Sequence, residues 1–127
     1  MDVVIGLDIG TGSVKALLVD VEGHVVAVGE VAHPLSSPHP DWAEQAPDDW
    51  WQGAQVALRQ LSAVAAERHY RVLGLGLTGQ MNGAVLLDGT LVPVRPCLIW
   101  ADSRTARQCD EIHARVGRER VISLTGK

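Results

Sequence analysis

The chain has 127 residues, a formal net charge of −4, 46% hydrophobic residues and 20% charged residues. This composition is typical of one globular domain and excludes a disordered tail or a fibrous repeat. The negative charge disfavours nucleic acid as a partner, since such affinity depends on basic groups that displace counterions. No apolar run approaches the roughly 20 residues of a membrane span. We expect a cytoplasmic protein without a membrane partner.

Three strand-like segments open the chain. The almost unbroken apolar run Val3–Ile9 has the length of a buried strand, and Val14–Val19 resumes the pattern after the turn Gly10–Ser13. A second turn, Asp20–Gly23, precedes the apolar segment Val25–Val31. Glycine and short polar residues at both turns predict a three-stranded antiparallel meander.

A proline-rich connection and a helix follow. His33–Pro47 holds four of the six prolines and no apolar periodicity, so we expect an exposed connection with solvated histidines. Pro47 suits the first position of a helix, which we expect to end near Arg68. Five residues recur at helical spacing and predict its inner face: Trp51, Ala54, Leu58, Leu61 and Ala65.

The next apolar segments predict more strands. Val72–Thr78 contains Gly74 and Gly76, a pattern that indicates close approach of another backbone or a ligand. Ala84–Leu87 and Cys97–Trp100 read as two further short strands.

A second helix is predicted near the end of the chain, with Asp102 or Ser103 as its N-cap. Its predicted inner face contains Ala106, Cys109, Ile112 and Val116. We expect both cysteines, Cys97 and Cys109, to be buried and reduced. Arg107 and Glu111 are spaced to pair on the outer face.

Strands in series, then a helix and a returning strand, predict an α/β fold with a mixed sheet, whose crossover helix packs on one face. The chain ends on a helix and a turn at residues 124–127, with no closing element. We therefore expect the fold to be incomplete at the C-terminus and the chain to be part of something larger.

The first turn has the composition of a phosphate site. Consecutive N–H groups in a glycine-rich turn bind anions, and glycines leave room for a phosphate. Hydroxyls, a lysine and an adjacent carboxylate suit a Mg²⁺-bound phosphate ligand; the residues are Asp8, Gly10, Thr11, Gly12, Ser13 and Lys15. The alternative is an ordinary tight hairpin in which Asp8 accepts hydrogen bonds from the turn.

Three later segments accompany this turn in a recognisable order: Pro40–Gln45 with Trp50–Trp51, Gly79–Gly83, and Trp100–Arg104. Together they resemble the FGGY carbohydrate kinases, and among them the xylulokinases, over nearly the whole chain. The resemblance implies an actin-like ATPase domain of the ribonuclease-H-like class. Residues 1–127 would be the N-terminal part of the sugar-binding domain, and the second domain would be absent from this chain.

The resemblance implies ATP-dependent phosphorylation of a sugar, with D-xylulose and its 5-phosphate as the favoured pair. Asp8 would position Mg²⁺, and Gly10, Thr11, Gly12, Ser13 and Lys15 would face the ATP phosphates. The implied sugar contacts are Gln80, Met81, Asn82, Trp100 and Asp102. The catalytic aspartate lies beyond residue 127 in this family, so we expect the chain alone to be inactive. We expect the complete protein to be a homodimer.

One departure leaves the sugar open. Xylulokinases typically carry histidine where this chain has Asn82, so another pentulose, a polyol or a sugar acid remains an alternative substrate. A non-catalytic actin-like domain that senses a sugar or ATP is a second alternative. A third is a metal-dependent nuclease that pairs Asp8 with Asp88 or Asp102, although the net charge disfavours it.

Overall fold

The computed structural model of the chain describes residues 1–126. Its strands and helices, in chain order, are β1 (Asp2–Ile9), β2 (Ser13–Asp20), β3 (Val25–Ala32), β4 (Glu44–Gln45), α1 (Pro47–Glu67), β5 (Arg71–Gly79), β6 (Cys97–Leu98), α2 (Ala106–Val116) and α3 (Arg118–Thr125). One sheet has the strand order β3-β2-β1-β5, and β4 pairs with β6 in a second, two-stranded sheet. No helix among these residues combines the length and apolar character that crossing a bilayer requires.

The four-stranded sheet confirms the predicted mixed topology. β1, β2 and β3 form an antiparallel meander, and β5 returns parallel to β1 after the crossover through α1. The first turn is closed by a 3.0 Å hydrogen bond from the Gly10 N–H to the Ser13 carbonyl oxygen. The second turn contains Gly23 at φ +93°, a conformation that glycine adopts without steric cost.

Small residues let α1 lie close to the sheet. A Cβ added at Gly53 would lie 3.0 Å from Val14 Cγ2, and one added at Gly29 would lie 3.0 Å from the Ala57 carbonyl oxygen. Every second residue of β1 and β2 faces α1, and these side chains form the core together with the inner face of the helix. The core residues are Val3, Ile5, Leu7, Val14, Ala16, Leu18, Ala54, Ala57, Leu61 and Ala65. The helix bounds match the prediction, but Trp51 is 65% exposed and was wrongly assigned to the inner face. An indole does not fit where small residues set the helix–sheet distance.

Two predicted strands differ in the structure. Ala84–Leu87 forms only isolated bridges, from Ala84 to Leu98 and from Leu87 to Pro93, so the prediction of a strand there was wrong. The last predicted strand shortens to the two residues of β6. Gly74 and Gly76 were predicted to meet a close neighbour, yet a Cβ at either would meet nothing within 4 Å among the described residues. They leave that face of β5 open, and the approach of a ligand there stays a prediction.

The second helix begins later than predicted. Its N-cap is Thr105, with no side-chain cap hydrogen bond, so the assignment of Asp102 or Ser103 as the cap was wrong. α2 has no buried residue, and Cys109 is exposed, which corrects the prediction that both cysteines are buried. The apolar face of α2 has no covering element within residues 1–126. Arg107 and Glu111 do pair, at 3.5 Å.

Candidate phosphate and sugar site

The turn between β1 and β2 offers free backbone donors. The N–H groups of Thr11 and Gly12 have no protein acceptor within residues 1–126. A Cβ at Gly10 would lie 3.1 Å from the Ser13 carbonyl oxygen, so this tight closure favours glycine. Adjacent, unsatisfied N–H groups at a glycine-rich turn are the geometry that binds anions.

A row of polar side chains crosses the sheet beside this turn. Register pairs Thr78 with Asp8, Asp8 with Lys15, and Lys15 with Glu30, all on the face opposite α1. Glu30 accepts a hydrogen bond from the Ser13 hydroxyl at 2.7 Å and forms an ion pair with Lys15 Nζ at 3.3 Å. Both interactions lower the pKa of the Glu30 carboxyl. Ser13 and Lys15, which the sequence predicts to bind phosphate, therefore already have Glu30 as their partner. A phosphate would compete with Glu30 for both groups.

The exposed carboxylate of Asp8 suits a divalent cation. The Asp8 carboxylate makes no hydrogen bond or ion pair with any residue in the described part of the chain. It borders a concave surface of about 420 Å³ formed with Lys15, Gly76 and Thr78. Mg²⁺ is commonly held by one or two carboxylates together with phosphate oxygens, so this donor set fits a metal that arrives with a nucleotide. Within residues 1–126, no group of three or more His, Cys, Asp or Glu residues could hold a metal without such a ligand.

The segment after β5 meets the phosphate turn. The Gln80 N–H donates to the Ile9 carbonyl oxygen at 2.8 Å, which extends the β1–β5 pairing by one residue. Met81 is 75% exposed, and Asn82 adopts φ +63°, a left-handed conformation that asparagine tolerates. A cavity of about 390 Å³ is lined by Thr11, Gln80, Met81, Asn82 and Trp100. Four of the five predicted sugar residues thus share one cavity with a residue of the turn.

Two hydrogen bonds join these parts directly. The Trp100 indole N–H donates to the Thr11 hydroxyl at 3.0 Å, and that hydroxyl donates to Gln80 Oε1 at 3.3 Å. The Thr11 hydroxyl is therefore engaged by protein groups, and the turn retains its backbone N–H groups as donors to a ligand.

Gln45 holds the site from behind, a role that the sequence analysis missed. Its side chain contacts Thr11, His33, Trp50 and Gln80, and the residue is only 2% exposed. We call this set the neutral network: Thr11, His33, Gln45, Trp50, Gln80 and Trp100. A polar residue between Ala43 and Ala46, inside one of the quoted motifs, was the available signal.

His33 corrects the prediction that the histidines of the connection are solvated. Its ring is half-buried, with Nε2 3.0 Å from the Gly10 carbonyl oxygen and Nδ1 3.2 Å from Gln45 Nε2. No periodicity marks such a residue, because its burial depends on the turn folding back over it.

Asp102 belongs to a separate group, which we call the charged cluster: Glu44, Arg95, Asp102 and Arg104. The Asp102 carboxylate accepts from Arg104 Nη2 at 2.6 Å and from the Ala43 N–H at 2.8 Å, and its side chain is 3% exposed. The hydrogen bonds from Arg104 are the main cause that lowers its pKa from 3.8 to about 2.

Arg104 also pairs with Glu44 at 2.7 Å and stacks 3.6 Å above the Trp42 ring. Arg95 forms a further short ion pair with Glu44. These contacts fasten the loop that carries Trp100. Asp102 borders a neighbouring cavity of about 400 Å³ with Asn82 and Trp100, and its contact with a sugar stays a prediction.

The meander, the crossover helix and the parallel return strand, with a phosphate-type turn between the first two strands, define an actin-like ATPase domain. The sequence family described as the FGGY family of carbohydrate kinases, N-terminal domain, matches residues 3–127. The chain belongs to the FGGY family of carbohydrate kinases.

Within this family, the chain is similar to xylulose kinases. The chain is 43% identical to a xylulose kinase of Klebsiella pneumoniae and 41% identical to one of Escherichia coli, covering 94% of this chain and 24% of each relative. The crystal structure of a xylulose kinase from Rhodospirillum rubrum superposes with a TM-score of 0.90 at 41% identity, covering 94% of this chain and 25% of that one. The chain thus spans about a quarter of these relatives.

Proposed function

We propose that this chain supplies the phosphate-binding turn and sugar-contacting segment of a xylulose kinase, which transfers the γ-phosphoryl group of ATP to D-xylulose and forms D-xylulose 5-phosphate. The observation that carries the proposal is the shared cavity of Thr11, Gln80, Met81, Asn82 and Trp100. Phosphoryl transfer requires an anion site and a hydroxyl-bearing substrate side by side. The similarity to xylulose kinases supports the choice of sugar.

Each group in the site has a distinct proposed role. The N–H groups of Thr11 and Gly12 bind phosphate oxygens, and Asp8 holds the Mg²⁺ of the bound nucleotide, which neutralises phosphate charge. Ser13 and Lys15 join them by exchanging Glu30 for phosphate.

On the sugar side, the exposed Met81 and Trp100 side chains cover carbon faces of the substrate. Asn82 offers both a donor and an acceptor to hydroxyl groups.

The remaining parts of the reaction lie outside this chain in the proposal. The general base and the adenine site belong to the rest of the kinase, so residues 1–127 alone form no xylulose 5-phosphate. A cytoplasmic homodimer is our expectation for the complete protein.

An ADP-release assay on the complete protein tests the proposal. We expect turnover of D-xylulose with ATP and Mg²⁺, no turnover by the 127-residue chain, and at least about a 100-fold lower kcat for Asp8→Asn, since charge neutralisation and positioning dominate this chemistry. Arg107→Met, at an exposed ion pair in the first turn of α2, is the matched control and should retain full activity. A complete protein that binds D-xylulose or ATP without releasing ADP would be a sensor of these ligands. That result would refute the proposed kinase activity.

A kinase for a different sugar is the second candidate, favoured by Asn82 and by 34% identity to a glycerol kinase of Alkalilimnicola ehrlichii. Asn82→His separates the two, because histidine also tolerates the left-handed backbone at this position. If D-xylulose is the native substrate, the variant should change its kcat/KM by no more than about threefold. A gain of tenfold or more, with a loss for glycerol or gluconate, would assign the wild type to another substrate.

A further inference from the structure

We infer that Gln45 and His33 are positioning residues for phosphoryl transfer, which hold the phosphate turn and Gln80 in one fixed register through a directed chain of hydrogen bonds. The inference deepens the proposed function and rests on it. Neither side chain lines the cavity that contains Thr11 and Gln80, so both act through other residues.

The neighbours of Gln45 fix the orientation of its amide. The Trp50 indole N–H can only donate, so the group 3.1 Å away must be Gln45 Oε1. The Thr11 carbonyl oxygen can only accept, so the group 2.7 Å from it must be Gln45 Nε2. A flipped amide would place its NH2 group against the Trp50 donor and its oxygen against the Thr11 acceptor.

This orientation determines the tautomer of His33. The second hydrogen of Gln45 Nε2 points to His33 Nδ1 at 3.2 Å, so Nδ1 must accept and carry no proton. The ring proton then lies on Nε2, which donates to the Gly10 carbonyl oxygen at 3.0 Å. His33 is thereby a neutral link between Gln45 and the start of the turn.

The same logic extends to the sugar side. Gln80 Nε2 donates to Gln45 Oε1 at 2.8 Å, so Gln80 Oε1 is the acceptor for the Thr11 hydroxyl. That hydroxyl accepts in turn from Trp100. Each side chain therefore donates to the next in a single series, which begins at the Trp100 indole N–H and ends at the Gly10 carbonyl oxygen. The members between them are, in order, Thr11, Gln80, Gln45 and His33.

The chain of bonds leaves no spare capacity. Gln45 uses both acceptor sites and both donor hydrogens, and no buried side-chain nitrogen or oxygen atom among the described residues lacks a partner. A shift of the turn relative to Gln80 would break several of these bonds in a buried place, where unpaired polar groups are costly.

Fixed register matters because the transferred phosphoryl group must lie in line with the sugar hydroxyl. A misplacement of about 1 Å in such a reaction can lower the rate about 100-fold. We therefore expect loss of Gln45 to lower kcat more than it weakens either substrate's binding.

The kinetic test uses the complete kinase. Gln45→Met keeps the side-chain length and removes the amide; we expect kcat to fall 10- to 100-fold per folded molecule, with KM for ATP and D-xylulose within threefold. His33→Phe should lower kcat less, since the Gln45 bonds to Thr11 and Gln80 remain, and His33→Gln should restore part of the loss. Gln55→Met, the same chemical change at an amide of α1 that bonds the exposed Arg59, is the matched control and should keep kcat within threefold.

A second measurement separates this inference from the proposed function. Amide hydrogen exchange on the purified protein should accelerate at least tenfold in Gln45→Met at both Gly10 and Gln80, whose N–H groups are hydrogen-bonded in the wild type, and at neither in Gln55→Met. A wild type without sugar turnover would refute the proposed function alone. Unchanged exchange in Gln45→Met, or equal kcat losses in Gln45→Met and Gln55→Met, would overturn the positioning role.

Discussion

Glu44 and Gln45 are neighbours in a two-residue strand, yet they anchor networks of opposite character. Glu44 faces Arg95 and Arg104 in the charged cluster, whereas Gln45 contacts only uncharged groups of the neutral network. Successive side chains of a strand point to opposite sides, so β4 serves both. One side fastens the loop that carries Trp100, and the other aligns the phosphate turn with Gln80.

The difference indicates which basic residues remain available to a ligand. Arg95 and Arg104 lie close to the site in sequence order, but Glu44 and Asp102 already neutralise them. In the proposed function, an anion at the turn would instead meet backbone N–H groups and Lys15, whose partner Glu30 is exposed. Strong, buried ion pairs thus have a structural role here, and directional neutral bonds set the geometry of the site.

Breaking the charged cluster should give the largest effect on stability. Arg104→Met leaves the nearly buried Asp102 carboxylate without its main partner, and we expect unfolding to become easier by about 3 kcal/mol. Urea denaturation followed by tryptophan fluorescence measures this change. Arg107→Met, at an exposed i,i+4 pair, should cost less than about 0.5 kcal/mol. Equal effects of the two substitutions would contradict the assigned importance of the cluster.

Acid should weaken the charged side selectively. The pKa of Asp102 is about 2 in the folded chain against an ordinary value of 3.8, so the folded state binds fewer protons between these values. Its stabilising contribution is present above pH 3.8 and is lost as the pH falls toward 2. The urea midpoint of the wild type should therefore fall more steeply over this range than that of Asp102→Asn. Parallel curves would show that other carboxylates carry the acid sensitivity.

Segments with strong local patterns were predictable from the sequence. Apolar runs identified β1, β2, β3 and β5, and Pro47 marked the start of α1. The hydrogen bonds of α1 and of the meander are made within a helix or between near neighbours, so local sequence largely specifies them. For β5 the sequence identified the strand but not its pairing with β1 across the crossover.

Side-chain environments were less predictable. Trp51 matched the helical period but points outward, because the helix–sheet distance at Gly53 admits only small residues. Cys109 matched an apolar face that no described element covers. Aspartate is a residue type that often caps helices, yet the Asp102 carboxylate instead forms an ion pair with Arg104 and accepts a hydrogen bond from the Ala43 N–H. For Trp51 and Asp102, contacts distant in sequence decided the outcome: that of Val14 with Gly53, and that of Ala43 with Asp102.

The residue types of the site were visible in the chain itself, because a glycine-rich turn and an amide-bearing segment are contiguous motifs with chemical meaning. The joining of those motifs was decided by tertiary structure. Thr11 and Gln80 are separated by 69 positions and meet only since β5 lies beside β1, while Gln45 and His33 enter through a connection without periodicity. Hydrogen bonds between such distant residues depend on the packed fold, and no local pattern encodes them.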